Sequence, residues 1–95
     1  MEKEVLTPAT VISRNPELVH SEIDGEVVMM SVDSGKYYSL DRIGSRIWEL
    51  LEDPVSISVL VERLLREFQV ERQTCVEDVI AFLRQLDDDD MLKIH

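Results

Sequence analysis

The sequence predicts an α+β domain, a three-stranded antiparallel meander followed by three helices, and three observations predict it. Residues 18–40 alternate β-branched or apolar side chains with polar ones and are cut at Asp24-Gly25 and at Asp33-Ser34-Gly35. Three later segments carry apolar residues three and four apart, the spacing of a helix face. Finally, 95 residues suffice for one modest core and not for two.

Residues 1–10 are charged, contain Pro8 and hold few large apolar groups, so a frayed, flexible terminus is expected there, with one domain over 11–95. The stretch near Val11 and Ile12 could join a sheet edge. In the meander, a two-residue Asp24-Gly25 turn pairs Ile23 with Glu26, Ser21 with Val28 and Val19 with Met30. A three-residue turn over Asp33 to Gly35 would pair Val32 with Lys36, Met30 with Tyr38 and Val28 with Leu40. Both turns agree on one core face, formed by Val19, Ile23, Val28, Met30, Val32, Tyr38 and Leu40. His20, Glu22, Met29, Ser31, Tyr37 and Ser39 point the other way.

Asp41 caps a first helix with apolar positions Ile43, Ile47, Leu50 and Leu51, widened by Trp48 and ended by Pro54. Gly44 costs that helix about 1 kcal/mol relative to Ala, which argues for close approach of another backbone. Ser56 caps a second, with Ile57, Leu60, Val61, Leu64, Leu65 and Phe68 on one stripe. The third has capping-box spacing at Thr74 and Glu77, or begins a few residues earlier near Glu71. Its apolar arc is wide: Val79, Phe82 and Leu86 make one face, Val76, Ile80 and Leu83 its neighbour, so one face is left over. Asp87 to Asp90 sit where the helix dipole disfavours negative charge and should loosen the last turn. A short strand over Met91 to Ile94 could follow. Strands then helices in so short a chain fit the winged helix-turn-helix class.

Charge narrows the function. Twenty acidic against ten basic residues give a formal charge of -10, which repels polyphosphate, so nucleic acid and anionic membranes are poor partners. No apolar stretch approaches the ~20 residues that span a bilayer. The single cysteine, Cys75, cannot form an internal disulfide, and no apolar run follows Met1-Glu2-Lys3-Glu4, which suggests a cytoplasmic setting. Cys75, near a helix start, reads as a small packing residue, since neither His20 nor His95 is near it in sequence and none of the three shares a metal-ligand spacing. Consecutive carboxylates over Asp87 to Asp90 lack the loop geometry of a calcium site and read as a solvated acidic run that could recruit a basic partner. No cofactor or metal is implied, and the chain offers no visible set of nucleophile, base and pocket.

The runs Asp24-Gly25-Glu26-Val27-Val28, Gly35-Lys36-Tyr37-Tyr38-Ser39-Leu40-Asp41 and Gly44-Ser45-Arg46-Ile47-Trp48-Glu49-Leu50-Leu51, continuing through Leu64 to Phe68 and Asp78-Val79-Ile80-Ala81-Phe82-Leu83, resemble the PqqD-like family. The similarity covers roughly Val11 to Leu92, and the Gly35 to Asp41 run looks most like the stand-alone elements of lasso-peptide pathways. The resemblance implies a non-catalytic recognition element for ribosomally made, post-translationally modified peptides, in pathways such as those to lasso peptides and pyrroloquinoline quinone. It implies that a precursor's leader adds as a strand to the edge of the third strand, beside the third helix. It further implies a maturation enzyme as second partner: a leader peptidase, a radical enzyme or a cyclase.

An edge strand offers unpaired N–H and C=O groups that a disordered peptide can complete while its side chains enter pockets. On that reading the candidate peptide-binding residues are Lys36, Tyr37, Tyr38, Ser39 and Leu40 on the strand, with Val76, Val79, Ile80 and Leu83 on the helix. Tyr38 has a bland reading as core packing, and Tyr37, facing outward, is open to either role. The competing class is a winged-helix DNA-binding regulator, against which stands a third helix with Arg84 as the only basic residue from Thr74 to Leu86.

Overall fold

The computed structural model describes residues 5–16, 18–31 and 35–95. Its elements are β1 (Val11–Arg14), β2 (Val19–Ile23), β3 (Glu26–Ser31), β4 (Lys36–Ser39), α1 (Arg42–Leu50), β5 (Val55–Ser56), α2 (Ile57–Glu67), α3 (Arg72–Asp88) and β6 (Leu92–Ile94). The fold is the expected α+β arrangement: a β2-β3-β4 meander followed by three helices, to which a second small sheet of order β5-β1-β6 is added.

Asp24 and Gly25 both have positive φ, 53° and 82°, as a two-residue hairpin turn requires, and the β2–β3 register is the one that turn dictates. The β3–β4 register differs from expectation. Met29 pairs with Tyr38, Met30 with Tyr37 and Val28 with Ser39, so the connection between Ser31 and Lys36 holds four residues rather than three. Val32, Asp33 and Ser34, like Met1 to Glu4 and the side chain of Val19, lie outside the described residues.

A one-residue slip exchanges the faces of a strand relative to its neighbour. Tyr38 and Leu40 do turn inward as expected, but their companions on β3 are Met29, 0% exposed, and Val27, 4% exposed. Val28 and Met30 are only half-buried, and Ile23 is 57% exposed. The expected core face of β2 and β3 is therefore the outer one. His20, opposite Met29, reaches Trp48, whose indole Nε1–H donates to His20 Nδ1 at 2.8 Å.

The second sheet ties both ends of the described chain together. β1 runs antiparallel to β5 and β6, Ile12 is fully buried, and Ser13 Oγ lies 2.8 Å from His95 Nε2. Arg14 places its guanidinium 5.5 Å from the centroid of Trp48 and donates to the Trp48 carbonyl. Where a frayed stretch to Thr10 was expected, Leu6 is buried, and the Pro8 and Thr10 carbonyls accept from Ser58 and Ile57.

Asp41 caps α1 by accepting from Gly44 N–H at 2.7 Å, and Ser56 caps α2 by accepting from Val59 N–H at 3.3 Å. α3 starts at Arg72 behind Glu71, the earlier of the two starts compatible with the sequence, so Thr74 lies inside the helix. Its acidic end stays helical as far as Asp88. Met91 N–H donates to the Leu86 carbonyl and Asp90 N–H to that of Asp87, a Schellman closure with Asp90 at φ 56° where glycine is usual. Fully buried Met91 fixes that closure against the core, with Ile12, Met29, Trp48, Leu51, Ile57, Leu60, Leu64, Val79 and Leu83.

Candidate functional site

β4 has a partner on one side only. Among the described residues its ladder is with β3, and β3 continues to β2, so the outer edge of β4 is an unpaired row of main-chain groups. The pleat sends Tyr37 and Ser39 outward, Tyr37 being 74% exposed, and Tyr38 and Leu40 inward. Leu40 N–H donates to the Val27 carbonyl, which carries the ladder to the Asp41 cap and so fixes α1 directly after the strand.

Along β4 runs a trough of about 360 Å³ whose other wall is α3. Tyr37, Tyr38, Ser39, Leu40 and Asp41 line one side, Phe82, Gln85, Leu86 and Asp89 the other, with Met29 and Gly44 between them. At Asp41, Gly44 and Phe82 the trough meets a second, more apolar hollow of about 220 Å³, walled by Ile43, Ile47, Leu64, Phe68, Val70, Cys75, Asp78 and Val79. Gly44 permits the junction. A Cβ there would stand 3.2 Å from Asp41 Oδ1 and 3.7 Å from Phe82 Cε1, so the close approach inferred from its sequence position is to side chains, not to a second backbone.

The α3 wall consists of positions three and four apart, Cys75, Asp78, Val79, Phe82, Gln85, Leu86 and Asp89, as one helix face must. Of the helix residues expected at the site, Val79 lines the apolar hollow. Leu83 is fully buried inside the core, and Val76 and Ile80 pack half-buried against it, so these three stand away from both hollows. The strand residues Tyr37, Tyr38, Ser39 and Leu40 all line the trough, and Lys36 sits at its mouth, with Nζ 3.7 Å from Asp89 Oδ1. Phe82, Gln85 and Asp89 were missed. The available signal was the companion face of Val79, Phe82 and Leu86, on the same side of the helix as the Gly44 notch.

Tyr38, Gln85 and Asp89 bring polar groups together at one end of the trough, and Asp41 stands at the junction with the apolar hollow. The Tyr38 hydroxyl is shielded from solvent and is turned toward the Asp89 carboxylate. Burial, and then the neighbouring Asp89 carboxylate, push its pKa above the usual phenol value. The Cys75 thiol is also pushed up, by burial and by the charge of Asp78, against a smaller opposing effect of Arg72. Burial thus outweighs any lowering from the nearby helix start, and the buried Cys75 side chain packs in the wall of the hollow. Among the described residues no group of three His, Cys, Asp or Glu is arranged to hold a metal, and no helix is long and apolar enough to cross a membrane.

α3 is a poor reader of DNA. Arg72 at its start is engaged with Glu62, and one face of the helix is turned to β4. Known proteins point elsewhere. The sequence profile of the family described as Coenzyme PQQ synthesis protein D (PqqD) matches residues 26–92, which include both walls of the trough. A solved structure of TbiB1 in complex with the TbiA(beta) leader peptide is similar to this chain at a TM-score of 0.77 and 36% identity, over 85% of this chain and 94% of that one. Another, of a lasso peptide synthetase B1 complexed with the leader peptide, is similar at a TM-score of 0.74 and 26% identity, over 86% and 96%. No curated protein sequence matches.

Proposed function

The chain belongs to the PqqD family, and we propose that it binds the leader segment of a ribosomally synthesised precursor peptide by strand addition to β4 and presents it to a maturation enzyme. The observation that carries this reading is the coincidence of an unpaired strand edge with a trough that follows it from Tyr37 to Leu40. Two similar proteins, each matched over nearly its full length, were solved with leader peptides bound, which supports it.

Main-chain pairing along Lys36 to Leu40 supplies affinity without regard to sequence, and the hollows supply selectivity. Phe82, Leu86 and Val79 offer apolar contact, while Val76, Ile80 and Leu83 are left to packing. Ordering a disordered guest is costly, and burying about three apolar side chains at ~1.5 to 3 kcal/mol each offsets much of that cost. Residues 11–95 act as the binding domain. The bond-making belongs to the partner, a leader peptidase, radical enzyme or cyclase. A cytoplasmic setting suits a lone free thiol such as Cys75.

Chemical-shift mapping with a candidate leader tests the reading. Amide shifts should cluster on β4 and on α3 around Phe82 and Gln85, and alanine at the leader's apolar anchors should weaken binding steeply in calorimetric titration. Shifts confined to α2, or equal affinities for the two peptides, would overturn it.

A further inference from the structure

We propose that the Asp89 end of the trough is a cation subsite that selects a Lys or Arg side chain in the guest peptide. The inference rests on the reading of β4 as the peptide edge and goes beyond it by assigning chemistry to one position of the guest. The trough is unlike at its two ends: at Asp41, Gly44 and Phe82 it opens into a mostly apolar hollow, whereas Tyr38, Gln85 and Asp89 close the other end.

Three features of that polar end call for a donor carrying positive charge. The Tyr38 hydroxyl, cut off from water, has the Asp89 carboxylate as its polar neighbour, so its O–H is directed at Asp89 and its oxygen keeps acceptor capacity for a further donor. The Asp89 carboxylate, 20% exposed, already draws the ammonium of Lys36, but at 3.7 Å, beyond hydrogen-bond reach. Asp89 is also the C-cap of α3, where the helix dipole favours a cation, and the last turn of α3 supplies no basic residue of its own. A guest ammonium or guanidinium donates to the carboxylate and to the Tyr38 oxygen together, and the -10 charge of the chain favours its approach.

Geometry sets the spacing. From Phe82 and Val79 to Asp89, α3 rises roughly 10 to 15 Å at about 1.5 Å per residue. An extended guest covers that in about four residues at ~3.3 Å each, and an even separation points both side chains into the trough. The guest therefore carries an apolar side chain and a basic one about four positions apart.

A displayed random dodecapeptide library panned on the full-length protein tests this. The enriched sequences should pair an apolar residue with Lys or Arg about four positions away. On Asp89→Asn, which keeps the side-chain shape and the cap, the apolar preference should remain and the basic one vanish. A synthetic enriched peptide whose basic residue is replaced by norleucine should bind the natural protein about tenfold more weakly and Asp89→Asn equally well. Tyr38→Phe should reduce the basic preference in the same direction, and it serves as the second variant if Asp89→Asn melts early. Enriched peptides that map to β4 without a basic position, or that keep it on Asp89→Asn, overturn the cation subsite and leave strand addition standing. Enriched peptides that leave the β4 amides unshifted overturn both.

Discussion

Ser45 joins the wing to the helices through a single hydroxyl. Its Oγ accepts from Val27 N–H at 2.8 Å and donates to the Leu40 carbonyl at 3.2 Å, with the residue 2% exposed. Ser45→Ala strands a buried donor and leaves an acceptor one bond short, and the loss falls where β4 leaves the sheet. We expect a destabilisation of about 1 to 3 kcal/mol in urea titration. Peptide affinity should fall as well, because the end of the β4 ladder is no longer held to α1. Trp48 shows the same economy, with His20 taking its indole N–H and Arg14 lying against its ring. Neither partnership was visible in the sequence, since nothing in the spacing of residues 14, 20 and 48 announces a shared contact.

At the scale of elements, Arg46 links α1 to the end of α2, bonding Glu67 through two nitrogens at 2.7 and 3.1 Å and Glu49 at 3.0 Å. The hydrogen bond from Arg46 holds the Glu67 carboxyl below its usual pKa. A carboxylate so lowered contributes stability above its unfolded pKa, and that contribution is lost as pH falls through the folded one. Glu67→Gln should therefore flatten the acid limb of the thermal stability profile, by only a few tenths of a kcal/mol because the pair is exposed, and leave stability near neutral pH slightly lower. Caps and hairpin turn were legible because Asp41, Ser56 and Asp24-Gly25 act locally. The β3–β4 register was not, because Val27-Val28-Met29-Met30 is an apolar run with no alternation to declare its inner face. β5, with two residues, is too short for any period, and the wide apolar arc of α3 left two faces equally fit to meet β4.

Across the whole molecule, the family and the strand half of the candidate site were readable in advance, since both depend on the order of short motifs along the chain. The helix half was not, because it depends on how α3 is rotated in three dimensions. An incomplete sheet also has a cost that the guest conceals. The bare rim of β4 presents the same unpaired main-chain groups to the matching strand of a sister molecule, and the formal charge of -10 opposes the approach of such sisters. Sedimentation velocity should therefore find monomers in dilute buffer, weak pairing in concentrated salt where that repulsion is screened, and monomers again once a saturating leader caps the rim. The acidity that turns nucleic acid away would then double as protection against self-recognition, and neutralising surface carboxylates would shift monomers toward strand-paired dimers.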